Sequence, residues 1–105
     1  MDEYVCITVL SRSGETQADF STRLSRFWTH LLRTRKTDFE RVYAETTEFE
    51  EQTGRWSRQY LAELVVAGVV ESELKAAGLD HEPVDREELF SRYEAVSPEW
   101  MQIEH

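Results

Sequence analysis

Between Gln17 and Arg35 the apolar residues are Phe20, Leu24, Phe27, Trp28, Leu31 and Leu32. They recur at i, i+4, i+7, i+8, i+11 and i+12, the period of one face of an α-helix. Thr16 stands at the N-cap position, and Asp19 puts negative charge on the helix N-terminus. A stripe with three aromatic rings must lie on a sheet or on other helices. The chain has 105 residues, enough for one domain and one core. Whatever else folds must therefore cover this stripe.

Tyr4–Leu10 is dense in β-branched and aromatic residues and is closed by the turn-like Ser11-Arg-Ser-Gly14, which predicts a strand. The middle, Asp38–Val66, supports two readings. Thr37–Glu40 has the form of a capping box, and Trp56, Tyr60, Leu61, Leu64 and Val65 fall at helical spacing. Val42–Phe49 instead alternates and holds two adjacent threonines, Gln52–Arg55 is a Gly-containing turn, and Trp56–Val65 can return as a strand. Topology favours the hairpin, because a lone N-terminal strand leaves its backbone groups unpaired. A second helix is predicted over Val70–Ala77, ended by Gly78 at C′, then a short edge strand near Val84, with Pro83 tolerated only in such an edge strand or outside it.

This order, β-α-β-β-α-β, resembles that of the ferredoxin-like folds. The expectation is an α+β sandwich over residues 1–105, with 85–105 as a docked C-terminal tail. The alternative is an all-α bundle with an N-terminal strand. In the tail, Asp85–Glu88 has capping-box form and predicts a short helix presenting Leu89, Phe90 and Tyr93, stopped at Ser97-Pro98.

Net charge is −9, unevenly spread. Residues 1–36 hold six basic and four acidic residues; 37–105 hold six and 17. Such a surface repels phosphate backbones, which argues against nucleic acid and for a basic protein partner or self-association. No apolar run reaches the length of a membrane span, and the acidic opening Met1-Asp2-Glu3 is unlike an export signal. The single Cys6 offers no intrachain disulfide, so cytoplasm is the expected compartment.

No motif names a reaction. Gly14, Gly54, Gly68 and Gly78 are too scattered for a phosphate loop, and there is no Gly-x-Ser-x-Gly elbow. Asp80-His81-Glu82 with Asp85 lacks a spacing that converges on one metal ion. Glu48, Glu50 and Glu51 could supply paired carboxylates only if burial split their pKa values. Cys6, among apolar strand residues, is expected to be buried and inert. No cofactor is implied.

The candidate interaction residues are Arg23, Arg26, His30 and Arg33, a basic stripe on the first helix, and Trp100, Met101 and Ile103 in the acidic tail. Asp19 is placed to pair with Arg23 at i,i+4. The leading expectation is a non-catalytic interaction module or homodimer. The alternative is a small-ligand binder or small enzyme with a pocket between the first helix and the sheet, lined by Phe27, Trp28, His30 and Tyr43.

Overall fold

A computed structural model describes residues 3–34 and 42–90. Along the chain come β1 (Tyr4–Leu10), α1 (Gln17–Thr34), β2 (Val42–Glu50), β3 (Arg55–Glu63), α2 (Leu64–Ala76) and β4 (Asp80–His81). The fold is mixed α+β: two helices and an antiparallel sheet, ordered β2-β3-β1-β4 among the described residues.

β1 pairs with β3 along its whole length, from Tyr4 opposite Glu63 to Leu10 opposite Ser57. Directly opposed residues share a face. Val5, Ile7 and Val9 therefore lie beside Ala62, Tyr60 and Arg58 on one face. Tyr4, Cys6 and Thr8 lie beside Glu63, Leu61 and Gln59 on the other. Ile7, Val9, Tyr60 and Ala62 join Phe20, Leu24, Phe27 and Leu31 of α1 and Val66, Val70 and Leu74 of α2 in a single core. Both helices thus cover the same side of the sheet.

The stripe on α1 divides. Phe20, Leu24, Phe27 and Leu31 are buried, Trp28 is half-buried against the core, and Leu32 is 44% exposed. Thr16 caps the helix, its Oγ1 accepting from the Asp19 amide at 3.1 Å.

The helical reading of the middle is overturned where the chain is described. Val42–Glu50 and Arg55–Glu63 form an antiparallel hairpin, with a register shift between Ala44 and Thr47, the mark of a β-bulge. An all-α bundle is excluded with it. Gly54 closes the turn at φ 67°, and its amide donates to the Glu50 carbonyl at 2.9 Å. The Thr37–Glu40 capping box lies outside the described residues.

α2 begins six residues before the predicted Val70. The valines at 65, 66, 69 and 70 favour strands locally. They are helical here because Val66, Val70 and Leu74 repeat at i, i+4, i+8 and reach the core together. The helix ends in a Schellman motif. The Leu79 amide donates to the Leu74 carbonyl at 3.0 Å and the Gly78 amide to Lys75 at 3.1 Å, with Gly78 at φ 72°, a conformation that suits glycine.

Three further expectations are corrected. The edge strand is Asp80–His81, opposite Leu10 and Val9, and not at Val84. Asp85–Glu88 opens no helix: Asp85 Oδ1 accepts from the Glu87 amide at 2.9 Å, a local turn, and Arg86 pairs with Glu71 of α2. Phe90 is not on a helix either. It bridges to Tyr4 through a mutual pair of backbone hydrogen bonds of 2.8 and 2.9 Å. Cys6 is half-buried, because it points to the sheet face away from the helices. Tyr93, Ser97-Pro98 and the rest of the tail lie outside the described residues.

Candidate functional site

The strand alternation of β3 brings Trp56, Arg58 and Tyr60 to the helix-covered face. At the β2 side of the sheet α1 leaves a cleft of about 510 Å³. Its floor is apolar: Phe20, Leu24 and Trp28 from α1, Val42 and Ala44 from β2. Its polar groups lie on two walls. Ser21, Ser25 and Thr29 line the α1 rim, one helical turn apart each, and Thr47, Arg58 and Tyr60 come from the hairpin. A hollow of this size with an apolar floor and polar groups on its walls has the character of a small-molecule site.

The geometry at its polar end is tightly arranged. Arg58 Nη1 donates to Thr47 Oγ1 at 2.5 Å. The register shift after Ala44 sets Thr47 opposite Arg58. The Arg58 guanidinium carbon lies 5.8 Å from the Tyr60 ring centroid, within cation–π range. Trp28 tilts over Tyr60 at 51° with centroids 4.9 Å apart, and meets Phe27 edge-on at 5.1 Å. Burial pushes the Tyr60 phenol above its ordinary pKa, opposed more weakly by Trp28 and by the charge of Arg58. At neutral pH the Tyr60 hydroxyl keeps its proton and can donate it in a hydrogen bond.

Arg58 makes no ion pair among the described residues, its contacts being Thr47 and Tyr60. Three other described arginines do have carboxylate partners, one of them Arg86 with Glu71. Arg23 holds Glu15 bidentately, Nε and Nη2 each at 2.7 Å, and Arg55 holds Asp80 at 2.8 Å.

The sequence-predicted site residues are dispersed. Arg23 pairs with Glu15, not with Asp19, so it is engaged in the fold. Arg26, His30 and Arg33 remain on the outer face of α1, along a shallow surface with Thr22 and Thr29. Of the four pocket residues expected from the sequence only Trp28 lines the cleft. Phe27 is in the core, His30 is on the outer face, and Tyr43 packs edge-on against Tyr4 at 5.8 Å on the opposite side of the sheet. Trp100, Met101 and Ile103 lie outside the described residues. Glu48 and Glu50 are exposed on β2, and Asp80 is drawn to Arg55. Among the described residues no three His, Cys, Asp or Glu side chains gather as a metal site. No helix there is long and apolar enough to cross a membrane.

Arg58, Tyr60 and Thr47 went unread in the sequence. The signal was a cation in the inward register of a strand, Trp56-x-Arg58-x-Tyr60, which becomes visible only once those residues are taken as β.

The Glu15–Arg23 pair yields a pH-dependent prediction. The Arg23 hydrogen bonds hold the Glu15 carboxyl below its usual pKa, burial raising it in part and the Arg12 amide adding to the lowering. A depressed folded pKa gives stability that is present above the unfolded value, near 4.3, and lost as pH falls through the folded one. Glu15→Gln is expected to cost at most about 1 kcal/mol at neutral pH, allowing for solvent screening. The difference from wild type should shrink as the pH falls below the unfolded value and vanish once Glu15 is protonated in the folded state as well. Urea unfolding of both proteins across that range checks it.

Compared with known proteins, the chain matches no protein-family model, no curated protein and no solved structure.

Proposed function

We propose that this chain binds a small, largely apolar molecule in the cleft between α1 and the β2–β3 hairpin. The observation that carries the reading is the cleft itself: an apolar floor, about 510 Å³ in volume, with Thr47, Arg58 and Tyr60 on its hairpin wall and hydroxyls along its helix rim. In this reading the domain is a ferredoxin-like sandwich. The element order and the sheet order β2-β3-β1-β4 support that assignment. The role is binding: Tyr60 offers a protonated hydroxyl and Arg58 a cation held by Thr47. Cytoplasmic location belongs to the same proposal and is supported by the lone Cys6.

The test uses 2-naphthamide, a flat neutral probe of about 13 non-hydrogen atoms. At about 0.3 kcal/mol per atom its binding free energy is about −4 kcal/mol, a Kd near 1 mM. Saturable binding by calorimetry or NMR is expected in the wild-type chain. Ser25→Trp, which plugs the exposed rim without touching the core, is expected to abolish it. Equal binding by both proteins, or none by the wild type, contradicts the reading.

One observation favours a second reading, contact with a basic protein or a second copy. Phe49 is 47% exposed at the end of the hairpin, stacked on Trp56 at 4.9 Å. Glu48, Glu50 and Glu51 surround it in sequence. Sedimentation at low and high salt tests this: association that weakens with salt supports it, and a monomer throughout that captures no basic protein opposes it.

A further inference from the structure

We infer that the ligand of this cleft carries a carboxylate, or an anion of the same flat geometry, seated against Arg58, with its apolar body on Phe20, Leu24 and Trp28. The inference rests on the binding reading above and sharpens it to a chemical class. Three observations carry it.

First, Arg58 occupies a strand position whose neighbours on the same face, Trp56 and Tyr60, are aromatic and packed on or in the core. Placing a guanidinium beside that core costs desolvation free energy unless something compensates. Second, the described residues do not supply the compensating charge. Among the described residues the contacts of Arg58 are the Thr47 hydroxyl and the ring and hydroxyl of Tyr60, while Arg23, Arg55 and Arg86 have carboxylates. Third, the guanidinium is held in place before any ligand arrives. Thr47 takes one N–H and Tyr60 lies beneath the plane. Guanidinium has five N–H donors in a fixed fork; beyond those given to Thr47 and the Tyr60 hydroxyl, others remain for a flat, two-oxygen acceptor, the partner with which such forks form paired hydrogen bonds. The Tyr60 hydroxyl lies in the same cleft and, being protonated, can donate to the same head group.

A neutral apolar ligand would leave Arg58 without a counter-charge and would bury it further. A phosphorylated ligand is less well matched. One guanidinium faces it, the rim hydroxyls of Ser21, Ser25 and Thr29 are on the opposite wall, and the surrounding chain has net charge −9. That charge also sharpens the test, because any anion preference must overcome a repulsive field and so reports a local contact.

The experiment compares 2-naphthoate with 2-naphthamide, two probes of nearly equal shape, on wild-type protein and on Arg58→Gln. The wild type is expected to bind the carboxylate about tenfold or more tightly than the amide, the scale of a charge-assisted hydrogen-bonded pair. Arg58→Gln is expected to lose that preference or reverse it, and its urea unfolding transition, read alongside, reports that the variant is folded. Arg58→Lys keeps the charge without the fork and is expected to retain only part of the preference. If the wild type binds amide and carboxylate equally, or if Arg58→Gln keeps the preference, the carboxylate inference is overturned while the binding reading stands. If phenyl phosphate binds more tightly than 2-naphthoate, the assigned ligand class is wrong. If neither naphthalene probe binds, the binding reading itself fails, and this inference with it.

Discussion

Phe20→Ala is expected to destabilise the domain by about 3–5 kcal/mol, the usual cost of removing a fully enclosed phenyl ring. Phe20 is 1% exposed and belongs to both the core and the floor of the cleft. It lies in the first turn of α1, where its amide donates to the Thr16 carbonyl at 3.0 Å. Truncation therefore removes apolar burial at the point where the helix is anchored to the sheet. For a domain of this size each kcal/mol is worth about 4–8 °C in Tm, so the melting point should fall by more than about 12 °C. Thermal and urea unfolding read this directly. A loss below about 1 kcal/mol would mean that α1 does not rest on the sheet through this residue.

Leu74→Ala is expected to cost about 2–5 kcal/mol, at the upper end of that range. Leu74 is fully buried in the core against α2's own Val70 and β1. It has a second role. Its carbonyl accepts from the Leu79 amide in the Schellman motif, and Leu79 is buried in the same cluster. The apolar contact between those two positions is what usually accompanies such a cap. Losing the side chain loosens the core and the stop of a helix rich in valines, which has little intrinsic propensity to fall back on. Leu74→Met, which conserves volume, is expected to cost less than about 1.5 kcal/mol. Equal losses for the two variants would contradict a packing role.

The two outermost elements of the reading came from different kinds of signal. Tyr4–Leu10 and Gln17–Thr34 were legible because each has one period and no competitor: seven residues of strand formers, then a stripe repeating at i, i+4, i+7 and i+8. The hairpin was legible only through pairing. Trp56, Tyr60 and Leu61 fit a helical stripe as well as a strand, and the ladder with β1 decides between them. α2 was found late in the chain because Val65–Val70 looks like a strand locally, and only burial of Val66, Val70 and Leu74 on one core makes it helical.

The cleft shows the same limit from another side. A pocket between the first helix and the sheet was anticipated, and of the residues named for it Trp28 is found lining the cleft. Phe27, His30 and Tyr43 were not, because one residue of offset on a strand or helix turns a side chain to another face. Tyr43 sits next to Val42, which does line the cleft, yet faces Tyr4 on the far side of the sheet. The basic stripe was read as one feature, but Arg23 is drawn off by Glu15, eight residues earlier and before the helix begins. No helical spacing rule anticipates that pair.

The most direct test of the central claim is amide and side-chain chemical-shift mapping of the isotope-labelled chain titrated with 2-naphthoate. Saturable shifts concentrated on Ser25, Trp28, Thr29, Thr47, Arg58 and Tyr60, with the Trp28 indole and Arg58 guanidinium signals moving most, are the predicted result. Shifts confined to the opposite sheet face at Tyr4, Tyr43 and Leu61, or no saturable shifts at all, would contradict it.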